Sequence, residues 1–269
     1  MKAVCLHDKS RIETFLRSNI YLNIYSIGDL DDFFWPYTTW YALNDTVGIQ
    51  AIILVYTGGS LLCLHAMAEA DKIPQAKELL HCVIPVLPRR FHAHLSLGLE
   101  SILAEHYILR PHGEYYKMAL TDKSRLSNFD TSGVTSLSIS DLSEVMSLFN
   151  KAYPGNYFEP RMLETNHYYG IRESGELISV AGVHVYSNRY RVAALGNIAT
   201  YPKYRGRGYS TTVTARVCKS LLPEIDHIGL NVKTDNKSAI KCYEKLGFEA
   251  VDSYGEFNAE LILSDKQYK

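Results

Sequence analysis

The chain has 269 residues, of which 46% are hydrophobic and 21% charged, with 28 Lys and Arg against 29 Asp and Glu. This composition is typical of a soluble globular protein, and the length suits two domains. A nearly balanced charge excludes a broad basic surface, so neither nucleic acid nor a membrane is expected among the partners.

The five cysteines are odd in number, scattered, and without a short ligand spacing. That pattern indicates a reducing compartment. Charges interrupt the amino-terminal residues before any apolar stretch long enough for a signal peptide, so we expect a cytoplasmic protein. The most apolar stretch, residues 47–56, is about half as long as a membrane-spanning helix and is expected to be a buried strand.

Strands and helices alternate in the first half of the chain. Two of the strands flank the Gly58-Gly59 turn, as in a hairpin. The polar segment 121–133 has almost no core-forming residues and is expected to be a linker. The predicted elements are strands at 48–56, 61–65, 91–97 and 114–120, and helices at 74–86 and 99–106.

The second half has clearer periodicity. Asp141 is the expected N-cap of its first helix, which ends before Pro154, and Gly247 is the expected C-cap of its last helix. Three consecutive strands predict an antiparallel meander, and the alternation that follows predicts a parallel crossover. The predicted elements are strands at 135–139, 167–173, 177–186, 191–200 and 227–233, helices after Asp141 and at 160–165, 209–222 and 236–246, and a final strand or hairpin at 251–263.

These elements predict a mixed α/β (α+β) fold of two domains, at residues 1–125 and 134–269. Each domain is expected to be a mixed, mostly antiparallel sheet with flanking helices. Residues 112–115 (HGEY) and 254–257 (YGEF) occupy corresponding points in the two series. This match is too short to decide whether the halves are a diverged internal repeat.

The densest chemical signal is the segment 204–210, with sequence YRGRGYS, between a predicted strand and a predicted helix. Glycines let backbone N–H groups approach a ligand closely, and a helix N-terminus favours a phosphate. Arg205 and Arg207 add full positive charges. The segment predicts an anion site, although a solvated turn would have the same composition.

Three linked motifs resemble the GNAT N-acetyltransferase superfamily. They are the run 197–208 (NIATYPKYRGRG), the strand residues Leu230-Asn231-Val232, and the helix that begins at Asn236 and continues through Tyr243 to Gly247-Phe248. The resemblance covers roughly residues 134–263 and implies a catalytic GNAT domain that uses acetyl-CoA as cosubstrate.

The resemblance also implies which residues bind acetyl-CoA. The loop from Arg205 to Ser210 would wrap the pyrophosphate, and the backbone from Ile198 to Thr200 would pair with the pantetheine arm like an added strand. Asn236 would contact that arm or cap its helix. Ser210 departs from the usual Gly or Ala but is small. The implied cofactor-binding residues are Ile198, Ala199, Thr200, Arg205, Gly206, Arg207, Gly208, Tyr209, Ser210, Asn231 and Asn236.

Tyr243 falls where many relatives place the general acid that protonates the departing thiolate. A phenol can donate that proton if it lies within hydrogen-bond reach, although a tyrosine at this position can also be a core aromatic. Ala194 stands where some relatives carry a glutamate as general base. The other candidates in this strand region are Glu173, His184 and Tyr190, each expected to be a surface or packing residue; a water relay or an acceptor that is already neutral would need no base.

The first half lacks the phosphate motif, because Glu69 and Asp71 at its corresponding junction would repel a pyrophosphate. We expect a degenerate GNAT-like half without a coenzyme A site, in an arrangement that resembles the glycine N-acyltransferase type. His92 and His94 alternate on one strand, but no third ligand has a recognisable spacing, so no metal is expected.

The sequence therefore predicts an N-acyltransferase in which a primary amine, on a small molecule or a peptide, attacks acetyl-CoA directly in a ternary complex. The acceptor is expected in a cleft between the halves, with Trp35, Tyr37 and Tyr186 as candidate lining residues. The alternative is a non-catalytic acyl-CoA-binding regulatory or scaffolding protein, which the alanine at position 194 suggests.

Overall fold

The computed structural model describes residues 1–263, which form two compact units. The first unit consists of Met1–Tyr116 together with the chain from Asp252 onward, and the second is Lys117–Val251. In chain order the strands and helices are β1 (Lys2–Cys5), α1 (Lys9–Leu16), α2 (Ile24–Gly28), β2 (Thr38–Asn44), β3 (Ile49–Tyr56), β4 (Cys63–Ala66), α3 (Ile73–Val83), β5 (Arg90–Ser96), α4 (Glu100–Ala104), β6 (Tyr107–Leu120), β7 (Thr135–Ser136), α5 (Leu142–Ala152), β8 (Tyr169–Glu173), β9 (Glu176–Ser187), β10 (Val192–Thr200), α6 (Tyr209–Leu221), β11 (His227–Lys233), α7 (Lys237–Leu246) and β12 (Phe248–Leu261). Short 3-10 turns connect several of them, at Arg17–Asn19, Trp35–Tyr37, Ala70–Lys72, Ile84–Val86, Lys123–Asn128, Ile139–Asp141, Pro160–Thr165 and Pro202–Tyr204.

In the first unit, the strand order is β1-β2-β3-β4-β5-β12. Strands β1 to β4 pair antiparallel, β4 and β5 pair parallel, and β12 pairs antiparallel with β5. Helix α3 packs against β2 and β3. Its buried residues Leu79, Leu80 and Val83 join one apolar core with Leu64 and Phe91 of the sheet. The hairpin predicted around Gly58-Gly59 is confirmed.

The second unit repeats this order of elements. Strands β7 to β10 pair antiparallel, β10 and β11 pair parallel, and helix α6 connects the parallel strands as α3 does in the first unit. The predicted meander and parallel crossover are therefore confirmed, as is the mixed, mostly antiparallel fold of two domains. Residues 112–115 and 254–257 lie in β6 and β12, the last strand of each half of the sequence.

Local signals explain where the helices of the second unit begin and end. Ser138 and Asp141 form a capping box just before α5. Asn236 caps α7 by accepting a hydrogen bond from the Ala239 N–H at 3.2 Å. Gly247 ends α7 at φ +98°, and a Cβ there would collide with the Asp122 carbonyl, so only glycine fits.

The division into domains and the expected linker both differ from the sequence-based expectation. The strand β12 contributes residues from 252 onward to the first unit, so the division of the chain is not a single cut between 125 and 134. The expected linker also packs in the second unit, where Leu126 is 1% exposed, Lys219 donates to the Phe129 carbonyl at 2.6 Å and Arg125 donates to the Glu244 carbonyl at 3.0 Å. The buried Leu126 side chain and these two hydrogen bonds therefore hold this polar segment in the second unit.

Within residues 1–263, no helix is both long enough and apolar enough to cross a membrane.

Candidate active site

The parallel strands β10 and β11 separate partway along their length. Their pairing covers Val192–Leu195 and His227–Leu230 and ends there, although β10 continues to Thr200 and β11 to Lys233. On its other side β10 remains paired with β9, as at Ala199 with Val180 and Thr200 with Ser179. The predicted residues Ile198, Ala199 and Thr200 therefore lie beyond the end of the parallel ladder, where the edge of β10 can pair with an extended ligand.

A β-bulge fixes the backbone of β10 at this point. Asn197 has φ +55°, a conformation that asparagine tolerates better than most residues. Its buried side chain donates to the Tyr168 hydroxyl at 2.9 Å and accepts from Asn156 Nδ2 at 3.0 Å. Tyr168 in turn donates to the Val183 carbonyl of β9 at 2.9 Å, and burial raises the pKa of its phenol. This network holds the bulge between two strands.

The predicted glycine turn lies directly after β10. Gly206 and Gly208 have φ values of +78° and +85°, and nothing lies within 4 Å of where a Cβ would stand on either residue. Gly208 is the N-cap of α6 and has no side-chain cap hydrogen bond. The first N–H groups of a helix have no acceptor within the helix, so this turn offers backbone donors and open space to an anion.

The two arginines of the turn differ in their contacts. Arg205 donates from Nε to the Thr200 carbonyl at 3.1 Å and from Nη2 to the Ala152 carbonyl at 2.9 Å. It therefore ties the turn to the ends of β10 and α5 in addition to contributing charge. Arg207 is exposed and lies 5.5 Å from the centre of the Tyr204 ring. The sequence did not distinguish these two roles.

Tyr209 and Ser210 form the first turn of α6. The Tyr209 ring packs edge-on against Tyr204 at 6.3 Å. Ser210 Oγ lies 4.0 Å from Cys242 Sγ, and the neighbouring Thr211 hydroxyl lies 3.2 Å from the same sulfur. The start of α6 is thus held against α7.

Two asparagines follow the separation of the strands on the β11 side. Asn231 comes immediately after the last pair of the ladder, and its Oδ1 is buried without a hydrogen-bond partner among the described residues. A buried unsatisfied carbonyl is costly, and a ligand donor would satisfy it. Asn236 uses its Oδ1 to cap α7, which is one of the two alternatives expected for it.

Tyr243 lies on the buried face of α7. Its side chain is 7% exposed, and its ring is edge-on to Phe248 with 6.1 Å between ring centres. It therefore packs as a core aromatic would.

The candidate bases occupy three different environments. Ala194 is fully buried in β10. Glu173 ends β8 opposite Glu176, and Tyr190 is buried in the turn before β10. His184 lies at a register shift in β9, and its ring covers Gly196, where a Cβ would collide with it. Of these candidates, His184 therefore lies beside the point where the parallel strands separate.

The aromatic residues expected to line an acceptor site have local partners. Trp35 stacks on Trp40 at 6.3 Å and lies under Lys9, and Tyr37 packs edge-on against Tyr56. In the second unit, Tyr186 packs against His167 and donates to Glu224.

At the junction after β4, the Glu69 carboxylate accepts a hydrogen bond from Asn19 at 2.8 Å.

Comparison with known proteins matches residues 140–248 to the acetyltransferase (GNAT) family model. An acetyltransferase of Sodalis glossinidius (strain morsitans) is 36% identical over 72 residues, which are 26% of this chain and 50% of that protein. The chain therefore spans about half the length of the curated relative that it matches.

Solved structures extend the similarity of fold to nearly the whole chain. A Drosophila protein has a TM-score of 0.68 at 12% identity, covering 96% of this chain and 98% of its own. A tandem GNAT protein from the clavulanic acid biosynthesis pathway has a TM-score of 0.56 at 16% identity, covering 98% and 99%. These structures share the two-domain fold with this chain.

Proposed function

Because residues 140–248 match the acetyltransferase (GNAT) family model, we propose that this chain is an acyl-CoA-dependent N-acyltransferase that transfers an acetyl group to a primary amine. One observation carries the proposal. The ladder between β10 and β11 ends at Leu195 and Leu230, and the free length of β10 leads directly into the Gly206–Gly208 turn at the N-terminus of α6.

The residues at this place fit acetyl-CoA. The open space over Gly206 and Gly208 admits a pyrophosphate close to backbone N–H groups. The edge of β10 from Ile198 to Thr200 supplies the hydrogen-bonding pattern that an extended amide chain requires. The unsatisfied Oδ1 of Asn231 can accept from an amide N–H of such a chain.

In acetyl transfer, the cosubstrate supplies the reactive thioester, and the protein polarises its carbonyl and protonates its sulfur. Acetyl-CoA supplies a thioester whose carbonyl is attacked by an amine and whose thiol is released. A backbone N–H on the β10 edge polarises the carbonyl, since a fixed donor stabilises the negative charge that develops on the oxygen. Tyr243 donates a proton to the departing sulfur. The amine reaches its neutral form through water or through its own low pKa, because the buried Ala194 has no acceptor for the proton.

The acceptor is a small-molecule or peptide amine. The test incubates the purified full chain with acetyl-CoA and a panel of amines that includes polyamines, amino sugars, amino acids and peptides, and follows free thiol. We expect thiol release that depends on one acceptor class. Tight acetyl-CoA binding with no thiol release across the panel would instead support the non-catalytic binding protein.

A further inference from the structure

A second cluster of chemically active side chains lies in the first unit. Cys63 and His65 alternate on β4 and therefore share one face of the sheet. His94 of β5 stands directly opposite His65 in the parallel register. One ligand atom from each of these three partly buried residues lies within 4.8 Å of the others. We call Cys63, His65 and His94 the Cys63 cluster.

A carboxylate borders this cluster. Glu256 of β12 stands opposite His94 in the antiparallel register, with Oε1 at 3.6 Å from His94 Nε2. The Tyr254 hydroxyl donates to the same oxygen at 2.6 Å and so orients the carboxylate. Hydrogen bonds of this kind to metal-binding carboxylates are common around protein metal sites. Three adjacent strands thus bring together one thiol, two imidazoles and one carboxylate.

We infer that Cys63, His65 and His94 form a zinc site in the first unit, with Glu256 as the fourth ligand. Sulfur and imidazole ligands suit Zn²⁺, whereas Mg²⁺ and Ca²⁺ prefer oxygen. Tetrahedral bonds of about 2.3 Å to sulfur and about 2.1 Å to nitrogen place ligand atoms roughly 3.5 Å apart. The ligand atoms of Cys63, His65 and His94 lie within 4.8 Å of one another, so a bound ion requires each pair to approach by at most about 1.3 Å.

This site differs from the pair of histidines singled out in the sequence. His92 stands opposite Cys63, but the close cluster joins His94 to two residues of β4. The ligands are far apart along the chain, so no short sequence spacing identifies them as a metal site. The site lies in the first unit and does not depend on the proposed acetyl-CoA site in the second.

The test uses the full chain, stripped of metal by a chelator and titrated with Zn²⁺ or Co²⁺. We expect one ion bound per chain. The Co²⁺ form should show the intense visible bands of tetrahedral cobalt and a near-ultraviolet charge-transfer band from the thiolate. Cys63→Ser should abolish the charge-transfer band and weaken Zn²⁺ binding by at least about tenfold, and His94→Ala should weaken binding similarly.

The matched control is Cys82→Ser, which changes an exposed thiol on α3 next to the exposed His81. This variant should bind Zn²⁺ as the wild type does. If Cys63→Ser fails to fold, His65→Gln provides the same comparison, with circular dichroism and thermal unfolding as checks of folding. The inference is overturned if the chain binds no stoichiometric Zn²⁺, if Cys63→Ser and His65→Gln bind it normally, or if binding depends on Cys82.

Discussion

Leu195 of β10 lies opposite Leu230 of β11, and this pair is the last of the parallel ladder although both strands continue. Both side chains are 2% exposed, so the ladder ends in the apolar core. Beyond it lie Gly196 with the bulge at Asn197 on one strand and Asn231 with its unsatisfied carbonyl on the other. Each strand therefore has a polar residue just beyond the last pair, Asn197 on β10 and Asn231 on β11.

The first prediction concerns the glycine turn. Replacing Gly208 with Asp should weaken acetyl-CoA binding by at least about tenfold, because a carboxylate enters the open space where a pyrophosphate would bind. The measurement is isothermal titration calorimetry of both proteins.

Gly175 provides a matched control for that substitution. It has φ +83° and open space around its Cβ position, but it lies in the turn between β8 and β9. Gly175→Asp carries a similar backbone strain of about 1–2 kcal/mol. Equal losses of acetyl-CoA affinity in the two variants would mean that strain, and not the site, explains the effect.

The second prediction concerns the proton donor. Tyr243→Phe should lower turnover by roughly 10²-fold and leave acetyl-CoA affinity nearly unchanged, since the ring keeps its packing and only the hydroxyl is lost. Steady-state thiol release and calorimetry measure the two quantities.

Tyr169 is the control for Tyr243, because it is also 7% exposed and lies in the same unit. The Tyr169→Phe variant should have the same turnover as the wild type. Unchanged turnover in Tyr243→Phe would show that another group or water protonates the thiolate. A large loss of stability in the same variant would show that Tyr243 is only a core residue.

The third prediction concerns the bulge. Asn197→Ala should lower the free energy of unfolding by about 2 kcal/mol, because it removes hydrogen bonds to Tyr168 and Asn156 and places alanine at φ +55°. Asn197→Gly loses the same hydrogen bonds but accepts that φ, so it should retain about 1 kcal/mol more stability. Urea unfolding compares the three proteins; equal losses in Ala and Gly would rule out a contribution from backbone strain.

The fourth prediction concerns pH. Burial lowers the pKa of His167, a shift that Glu224 partly opposes. An unfolded histidine with its ordinary pKa near 6.5 then binds protons more readily than the folded one, so this group lowers stability as pH falls below about 6.5. His167→Gln should lose less stability than the wild type between neutral pH and pH 5. A His167 pKa above 6.5, measured by NMR titration, would contradict this sign.

Sequence patterns predicted the elements whose ends carry local signals. The strand at 227–233 was placed with its correct ends because its apolar residues alternate. The ends of α7 were placed to within one residue because Asn236 and Gly247 mark them. Gly206 and Gly208 were expected to form a turn after β10, and both have a positive φ, which glycine adopts readily.

Other features depend on contacts between distant residues and left no local pattern. Strand β1 and helix α1 were not predicted, because four and eight residues are too short a stretch for a clear period. The sequence also did not show that Arg205 binds the Ala152 carbonyl or that Asn197 meets Tyr168. The polar segment around Leu126 was expected to be a linker because its packing rests on one buried side chain and a few hydrogen bonds.

We expect this chain to bind acetyl-CoA at one place, between the separated strands and the Gly206–Gly208 turn. Calorimetric titration of the full chain with acetyl-CoA tests this expectation. One site per chain is expected, because Glu69 and Asp71 stand at the corresponding junction of the first unit, and Gly208→Asp should lose that site. Two equivalent sites, no binding, or unaltered binding in Gly208→Asp would contradict it.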